Sequence, residues 1–118
     1  MNSQKFDVKF LEDAVKFLDL LDEKVRDKII YNITKAQFST NKELFKKLNE
    51  EIWEFRTLYK GIAYRLFAFW DKSEKYLALV ILTHGLIKKT EKTPRADLAK
   101  SQRLRSSYFE GKKTSSKD

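Results

Sequence analysis

The chain has 118 residues and a net charge of +8, from 25 Lys and Arg against 17 Asp and Glu. This length suits one domain with a single core, and the 42% apolar content indicates a folded chain. The absence of cysteine excludes disulfides and thiolate metal sites, and a single histidine argues against a His-rich metal centre, so we predict no metal or cofactor. Without a signal core or an apolar run near the ~20 residues of a membrane span, we expect a cytoplasmic protein with no membrane partner.

The positive charge is concentrated at the C-terminal end. Residues 1–84 carry 15 basic and 13 acidic side chains, a net of +2, whereas residues 85–118 carry 10 and 4, a net of +6. A basic excess of this kind favours an anionic partner such as nucleic acid.

The N-terminal third predicts one strand and two helices. Lys5–Phe10 alternates weakly between apolar and polar residues, as in an edge strand. Asp22 is a plausible N-cap for the second of the helices. Apolar residues at helical spacing define the two faces: Leu11, Ala14, Val15, Leu18 and Leu21 in the first helix, and Val25, Ile29, Ile33 and Ala36 in the second.

The middle of the chain predicts three consecutive strands. Ile52–Tyr59 and Ile62–Trp70 alternate with the strand period and are separated by a turn at Lys60–Gly61. A polar loop at Asp71–Lys75 leads to Tyr76–Thr83, which is apolar on both faces like a central strand.

Two shorter signals complete the pattern. Leu44–Leu48 is a short strand or a lead-in to the next one. Thr93 and Pro94 are typical of an N-cap followed by proline at the first helical position, and the helix that they open is predicted to end near Tyr108.

We therefore predict an α+β fold in the order β-α-α-β-β-β-α. An N-terminal helical hairpin packs on one face of a small, mainly antiparallel sheet, and a C-terminal helix follows. Residues 1–110 form the single domain, and the composition of residues 111–118 is typical of a flexible basic tail.

Several charged side chains fall at defined places on the predicted strands. Arg56 and Arg65 share one face of neighbouring strands with Glu54, and Lys88 and Lys89 follow the end of the third strand. Fixed cations on a concave, aromatic-lined sheet suit a phosphodiester chain better than a small neutral ligand.

The blocks KKLNEEIWEFR (Lys46–Arg56), YRLFAFW (Tyr64–Trp70) and LVILTHGLIKKTEKTP (Leu79–Pro94) give the chain a family resemblance. Over roughly residues 5–110 it resembles toxins of the RelE/ParE superfamily, and most closely their phage-derived HigB-like branch in type II toxin–antitoxin systems. The resemblance implies a cytoplasmic endoribonuclease (an mRNA interferase) that cuts messenger RNA in the ribosomal A site. It also implies a cognate helix-turn-helix antitoxin as partner.

Metal-independent RNA cleavage needs cations for the phosphorane charge and groups that move protons. We expect Arg65 to bind the scissile phosphate, as the matching family arginine does, with Arg56 beside it unless Arg56 only pairs with Glu54. Lys88 and Lys89 match the basic pair that ends the last strand in related toxins, although exposed lysines in a solvated loop would look the same.

The sequence identifies the side chains that would transfer protons less clearly than those that would bind phosphate. Glu54 occupies a strand position that carries a catalytic lysine or glutamate in relatives, but two nearby arginines would keep it ionised and weaken it as a base. His84 has a suitable intrinsic pKa, yet a lone histidine before a glycine at a strand end is more often a structural or turn residue.

Further side chains are candidates for RNA binding. Phe67 and Phe69 share the predicted face of Arg65 and could stack on bases, although most aromatic residues of a small sheet belong to the core. Lys47, Lys92 and Arg103 are candidates for phosphate contacts, with Arg103 equally explained as surface charge or an antitoxin contact.

Two other functions fit the same residues. One is a ParE-like toxin that poisons gyrase and shares the fold without nuclease activity. The other is a non-catalytic basic module that binds RNA or an antitoxin.

Overall fold

The computed structural model describes residues 3–73, 77–88 and 94–115, with side chains as far as residue 113. It confirms the α+β prediction, and the short signal at Leu44–Leu48 is a strand. None of the helices in this part of the chain has the length and apolar character that a membrane-spanning helix requires. The elements are β1 (Asp7–Phe10), α1 (Glu12–Asp19), α2 (Glu23–Phe38), β2 (Phe45–Lys47), β3 (Trp53–Tyr59), β4 (Ile62–Asp71), β5 (Leu79–Lys88) and α3 (Arg95–Ser115).

The five strands form one mixed sheet in the order β1-β5-β4-β3-β2. Only the β1–β5 pair is parallel, and the other three pairs are antiparallel. Lys60 and Gly61 join β3 to β4 with φ angles of 50° and 79°. Two consecutive positive φ angles are the requirement of a type I′ turn, whose twist matches that of the flanking strands. The predicted turn is therefore confirmed at the same two residues.

Each face of the sheet has its own apolar core. α1 and α2 cover one face, and all four apolar positions predicted for α2 are buried there. Val15, predicted on the apolar face of α1, is instead 42% exposed. α3 covers part of the opposite face through Leu98, Tyr108 and Phe109. The part of that face beyond α3 carries the candidate site.

β5 is displaced along the chain from its predicted position. It begins at Leu79 and continues to Lys88, so His84 and Gly85 lie within the strand rather than in a turn. A Cβ atom on Gly85 would clash with the ring of Phe17, because α1 packs directly on the strand at this point. Close packing of α1, and not a turn, therefore explains the glycine.

α3 also extends beyond its predicted end near Tyr108. It continues to Ser115, which corrects the predicted end of the helix, while residues 116–118 lie outside the described part of the chain. The reason is Asp71, fully buried at the end of β4, which accepts hydrogen bonds from Tyr108 Oη at 2.7 Å and Lys112 Nζ at 2.8 Å. Burial alone would raise the pKa of Asp71, but the bonds from Lys112, Ser73 and Tyr108 outweigh it and hold that pKa well below its usual range.

Candidate active site

The strand register brings the charged side chains together on the sheet face that α3 leaves open. Arg56 of β3 lies directly opposite Arg65 of β4, and Lys88 of β5 lies opposite Ala63, two residues before Arg65. Lys46 of β2 lies opposite Glu54. Because alternate residues of a strand share a face, these side chains all project to the same side of the sheet. We refer to Lys46, Arg56, Arg65 and Lys88 as the cationic cluster, with Glu54 among them.

Glu54 is the counter-charge that holds the two arginines. It is 2% exposed, and its Oε1 lies 3.4 Å from Arg65 Nε and 3.6 Å from Arg56 Nε. Neither pair has the geometry of a hydrogen bond, so Glu54 Oε2 and both Nε atoms have no hydrogen-bond partner among the described residues. The charges are therefore paired while donors and an acceptor remain unused, which is unusual for buried polar atoms.

The surroundings shift the pKa of two members of the cationic cluster. Burial lowers the pKa of Arg65, with Glu54 opposing and Arg56 adding to the effect, although an arginine stays protonated in proteins. Burial also lowers the pKa of Lys88; the charge of Glu54 opposes this effect, and those of Arg65, Arg56 and Lys46 reinforce it. Lys88 is thus in electrostatic contact with every other member of the cationic cluster.

A cleft of about 510 Å³ opens beside the two arginines. Its floor and walls include Arg56, Arg65 and Ala63 from the open face, and it continues past the edge of β3 to α2. This volume is within the range of ligand sites in proteins. The arginines therefore face a space that a ligand could enter.

The comparison with known protein families identifies the chain. Residues 16–106, well over half of its length, match the model of the phage-derived Gp49-like protein family (DUF891). The chain belongs to this family. The Gp49-like family is a RelE/toxin-like family of toxin–antitoxin systems, so the resemblance holds at that level and implies an antitoxin partner. A comparison with curated proteins finds no match.

In the Gp49-like protein, His84 is buried against α3. Its Nε2 donates to Asp97 Oδ1 of α3 at 3.0 Å. Its Nδ1 lies 3.0 Å from Thr83 Oγ1, which is also 2.9 Å from Ser101 Oγ of α3. The side chain is 5% exposed, and burial lowers the pKa of His84 in spite of the bond to Asp97. The ring of Phe67 stacks on the imidazole and lies between it and Glu54 in the strand register. This geometry favours the structural role considered for His84 over the proton transfer predicted from its pKa.

The predicted stacking platforms are core residues. Phe67 and Phe69 are both 0% exposed, and Phe69 packs against Tyr108 and Phe109 of α3. They share the face of Arg65, as predicted, but the helix covers that part of the face. The prediction that these two rings bind RNA bases is therefore wrong for this structure.

Lys47 and Arg103 are not brought into the cationic cluster. Lys47 projects to the opposite face, where it forms a long 3.8 Å ion pair with Glu50. Arg103 is exposed on the outer side of α3, beside Ser106 and Ser107. Lys89 and Lys92 lie outside the described residues.

Lys46 is the residue of the cationic cluster that the sequence analysis missed. It precedes Lys47 in a three-residue strand, and a shift of one residue exchanges the two faces of a strand. If Leu44–Leu48 is a strand, then Lys46 and Lys47 must project to opposite faces of the sheet, and the sequence could have indicated this. The sequence does not give the register between this strand and the strand that carries Glu54, so it did not indicate which of the two lysines lies on the face of the arginines.

Proposed function

We propose that this Gp49-like protein is the toxin of a type II toxin–antitoxin system and acts as an endoribonuclease of the RelE/HigB type. Its substrate is messenger RNA in the ribosomal A site, and a cytoplasmic helix-turn-helix antitoxin restrains it. One observation carries the proposal: two adjacent arginines line an open cleft, and a buried glutamate lies beside both of them.

The arginines suit the charge that develops during RNA cleavage. In the proposed reaction, the 2′-oxygen bonds to the neighbouring phosphorus and the bond to the 5′-oxygen breaks, leaving a 2′,3′-cyclic phosphate. Arg56 and Arg65 bind the non-bridging oxygens, since a guanidinium fork can make two parallel bonds to phosphate. Donors that are fixed before the reaction stabilise the phosphorane without reorganisation at the moment of transfer.

Lys88 is the proposed general acid. A lowered pKa makes its ammonium a stronger proton donor, and the 5′-oxygen needs a proton as it leaves. Glu54 lies beside both arginines through Oε1, and its carboxylate is the proposed acceptor of the 2′-OH proton.

The test is induction of the protein in cells, with growth measured and RNA ends mapped. We expect codon-linked cuts and growth arrest with the wild-type chain. Arg65→Ala should lower the cleavage rate about 10²–10³-fold, the usual cost of losing one donor to a developing oxyanion.

Lys35→Ala is the matched control, because this exposed lysine of α2 lies outside the cationic cluster and does not line the cleft. Both variants should be expressed at equal levels and be folded by circular dichroism. Full toxicity of Arg65→Ala, or DNA breaks without RNA cuts in the wild-type culture, would contradict the proposal.

A further inference from the structure

The cleft beside the arginines wraps around a strand edge that β2 leaves free. β2 pairs with β3 only from Trp53 to Phe55, after which Arg56 N donates to Leu44 O at 2.8 Å. Backbone groups of alternate residues point to the same side of a strand, so the N–H and C=O of Leu58 face this free edge. No described backbone group pairs with them, and the Leu58 side chain is 69% exposed.

Helix α2 forms the second wall of the cleft. Asn32 Nδ2 donates to Thr57 Oγ1 at 3.1 Å in a buried bond, which fixes α2 against β3. One turn earlier on the helix, Lys28 is half-buried and lines the cleft. Its Nζ lies 5.1 Å from the centre of the Tyr31 ring, and that ring is 59% exposed. A cation that lines the cleft therefore lies next to a largely exposed aromatic side chain just outside it.

The charge of the lining favours an anion. Lys28, Arg56 and Arg65 give three positive charges and Glu43 gives one negative charge, a net of +2. The cleft is continuous with the cationic cluster through the two arginines, which line both. A chain that places one phosphate on Arg65 therefore has a path past the Leu58 edge to Lys28.

We propose that this cleft is a second RNA subsite, which binds the nucleotide next to the scissile phosphate. Lys28 contacts the adjoining phosphate, the free N–H of Leu58 donates to the sugar–phosphate chain, and Tyr31 stacks on a base. The subsite rests on the proposed ribonuclease function and extends it by naming where a single strand runs after leaving Arg56 and Arg65. An exposed ring beside a cation is the recurring arrangement of proteins that bind single strands without reading sequence.

An extended acidic peptide is the other ligand that a free strand edge and a cationic cleft could accept. RNA is favoured because the cations continue those of the phosphate site and because the largely exposed Tyr31 lies next to Lys28. The two ligands lead to different results in the test below.

The test measures binding of an RNA octanucleotide of mixed sequence with 2′-fluoro riboses, which cannot supply the attacking hydroxyl. Lys28→Ala should weaken binding and reduce the dependence of log K on log salt by about 0.7, the loss of one phosphate contact on a single strand. Tyr31→Ala should weaken binding by at least about fivefold, whereas Tyr31→Phe keeps the ring and should bind like the wild type. Lys24→Ala is the matched control, because Lys24 is exposed on the same helix and does not line the cleft.

Unchanged binding by Lys28→Ala and Tyr31→Ala would overturn the subsite, as would a wild-type protein that does not bind the octanucleotide. Variants that lose affinity for the co-expressed antitoxin and not for RNA would overturn it too, and would assign the cleft to a peptide. The ribonuclease proposal is tested by a different measurement: it fails if induction of the wild-type chain produces no RNA cuts.

Discussion

Replacing Glu54 by glutamine tests the central feature of the candidate site. The variant keeps the shape of the side chain and removes the carboxylate that lies between Arg56 and Arg65. The two guanidinium groups then face each other across neighbouring strands without their shared counter-charge. We expect a less stable protein that has gained affinity for anions.

The size of the effect follows from burial. Breaking a buried ion pair by removing one partner costs about 3–5 kcal/mol. The side chains of Glu54 and Arg65 are 3% and 10% exposed, but Arg56 is 31% exposed and partly solvated, which favours the lower end, about 3 kcal/mol. For a domain of this size, that loss corresponds to a fall in Tm of about 12 °C.

Sulfate should reverse most of this loss, because it can occupy the position proposed for the scissile phosphate. If sulfate binds the variant with a Kd of about 1 mM, then about 50 mM sulfate adds about 2.3 kcal/mol of stability. The expected recovery is about 9 °C in Tm, measured by calorimetry against chloride at equal ionic strength.

Glu50→Gln is the matched control, since Glu50 is an exposed glutamate with a lysine at 3.8 Å. Sulfate stabilises many proteins by exclusion from their surface, so the wild type and the control set the baseline. A sulfate-dependent gain in Glu54→Gln that is no larger than this baseline would refute the idea that the carboxylate occupies an anion site.

Three further predictions concern the fold around the site. Stability should fall as the pH drops below about 6.5, by up to about 1.4 kcal/mol per pH unit, because burial lowers the pKa of His84 and the unfolded chain takes up the proton at a higher pH than the folded one. His84→Gln should flatten this slope in urea unfolding between about pH 5.5 and 7. Gly85→Ala should cost about 1–3 kcal/mol through its clash with Phe17, and adding Phe17→Leu should recover part of the loss. Asp71→Asn should cost about 3 kcal/mol and remove hydrogen-exchange protection from the last turns of α3, whereas protection there equal to the wild type would show that Asp71 does not anchor the helix.

The fold was predictable where a periodic pattern met a clear turn. The helical spacing of α2 and the turn at Lys60–Gly61 are local properties of the sequence, and both are confirmed. The end of α3 was not predictable, because residues beyond 110 have the composition of a tail. Their order depends on Lys112 reaching Asp71, a contact between positions 41 residues apart.

The candidate site was predictable to the extent that strand alternation defines it. Arg56, Arg65 and Glu54 were placed on one face from the period of two, and the register confirms that placement. The predictions for Phe67 and His84 differ from the structure because tertiary contacts determine whether these side chains are exposed. Phe67 obeys the same alternation but lies under α3, and His84 stacks on it while bonding to that helix.

The arrangement of Glu54 explains how a small sheet can keep four cations on one surface without a bound anion. Without a counter-charge, Lys46, Arg56, Arg65 and Lys88 would repel one another in a partly desolvated environment, where charge interactions are stronger than in water. A fully hydrogen-bonded carboxylate would solve that problem, but it would saturate the donors that a phosphate needs. Glu54 instead lies 3.4–3.6 Å from the two Nε atoms and leaves them without a hydrogen bond. The folded state is thereby stabilised by charge, and the two arginines are held in a fixed position at the cleft, which is the preorganisation that the proposed phosphate site would require.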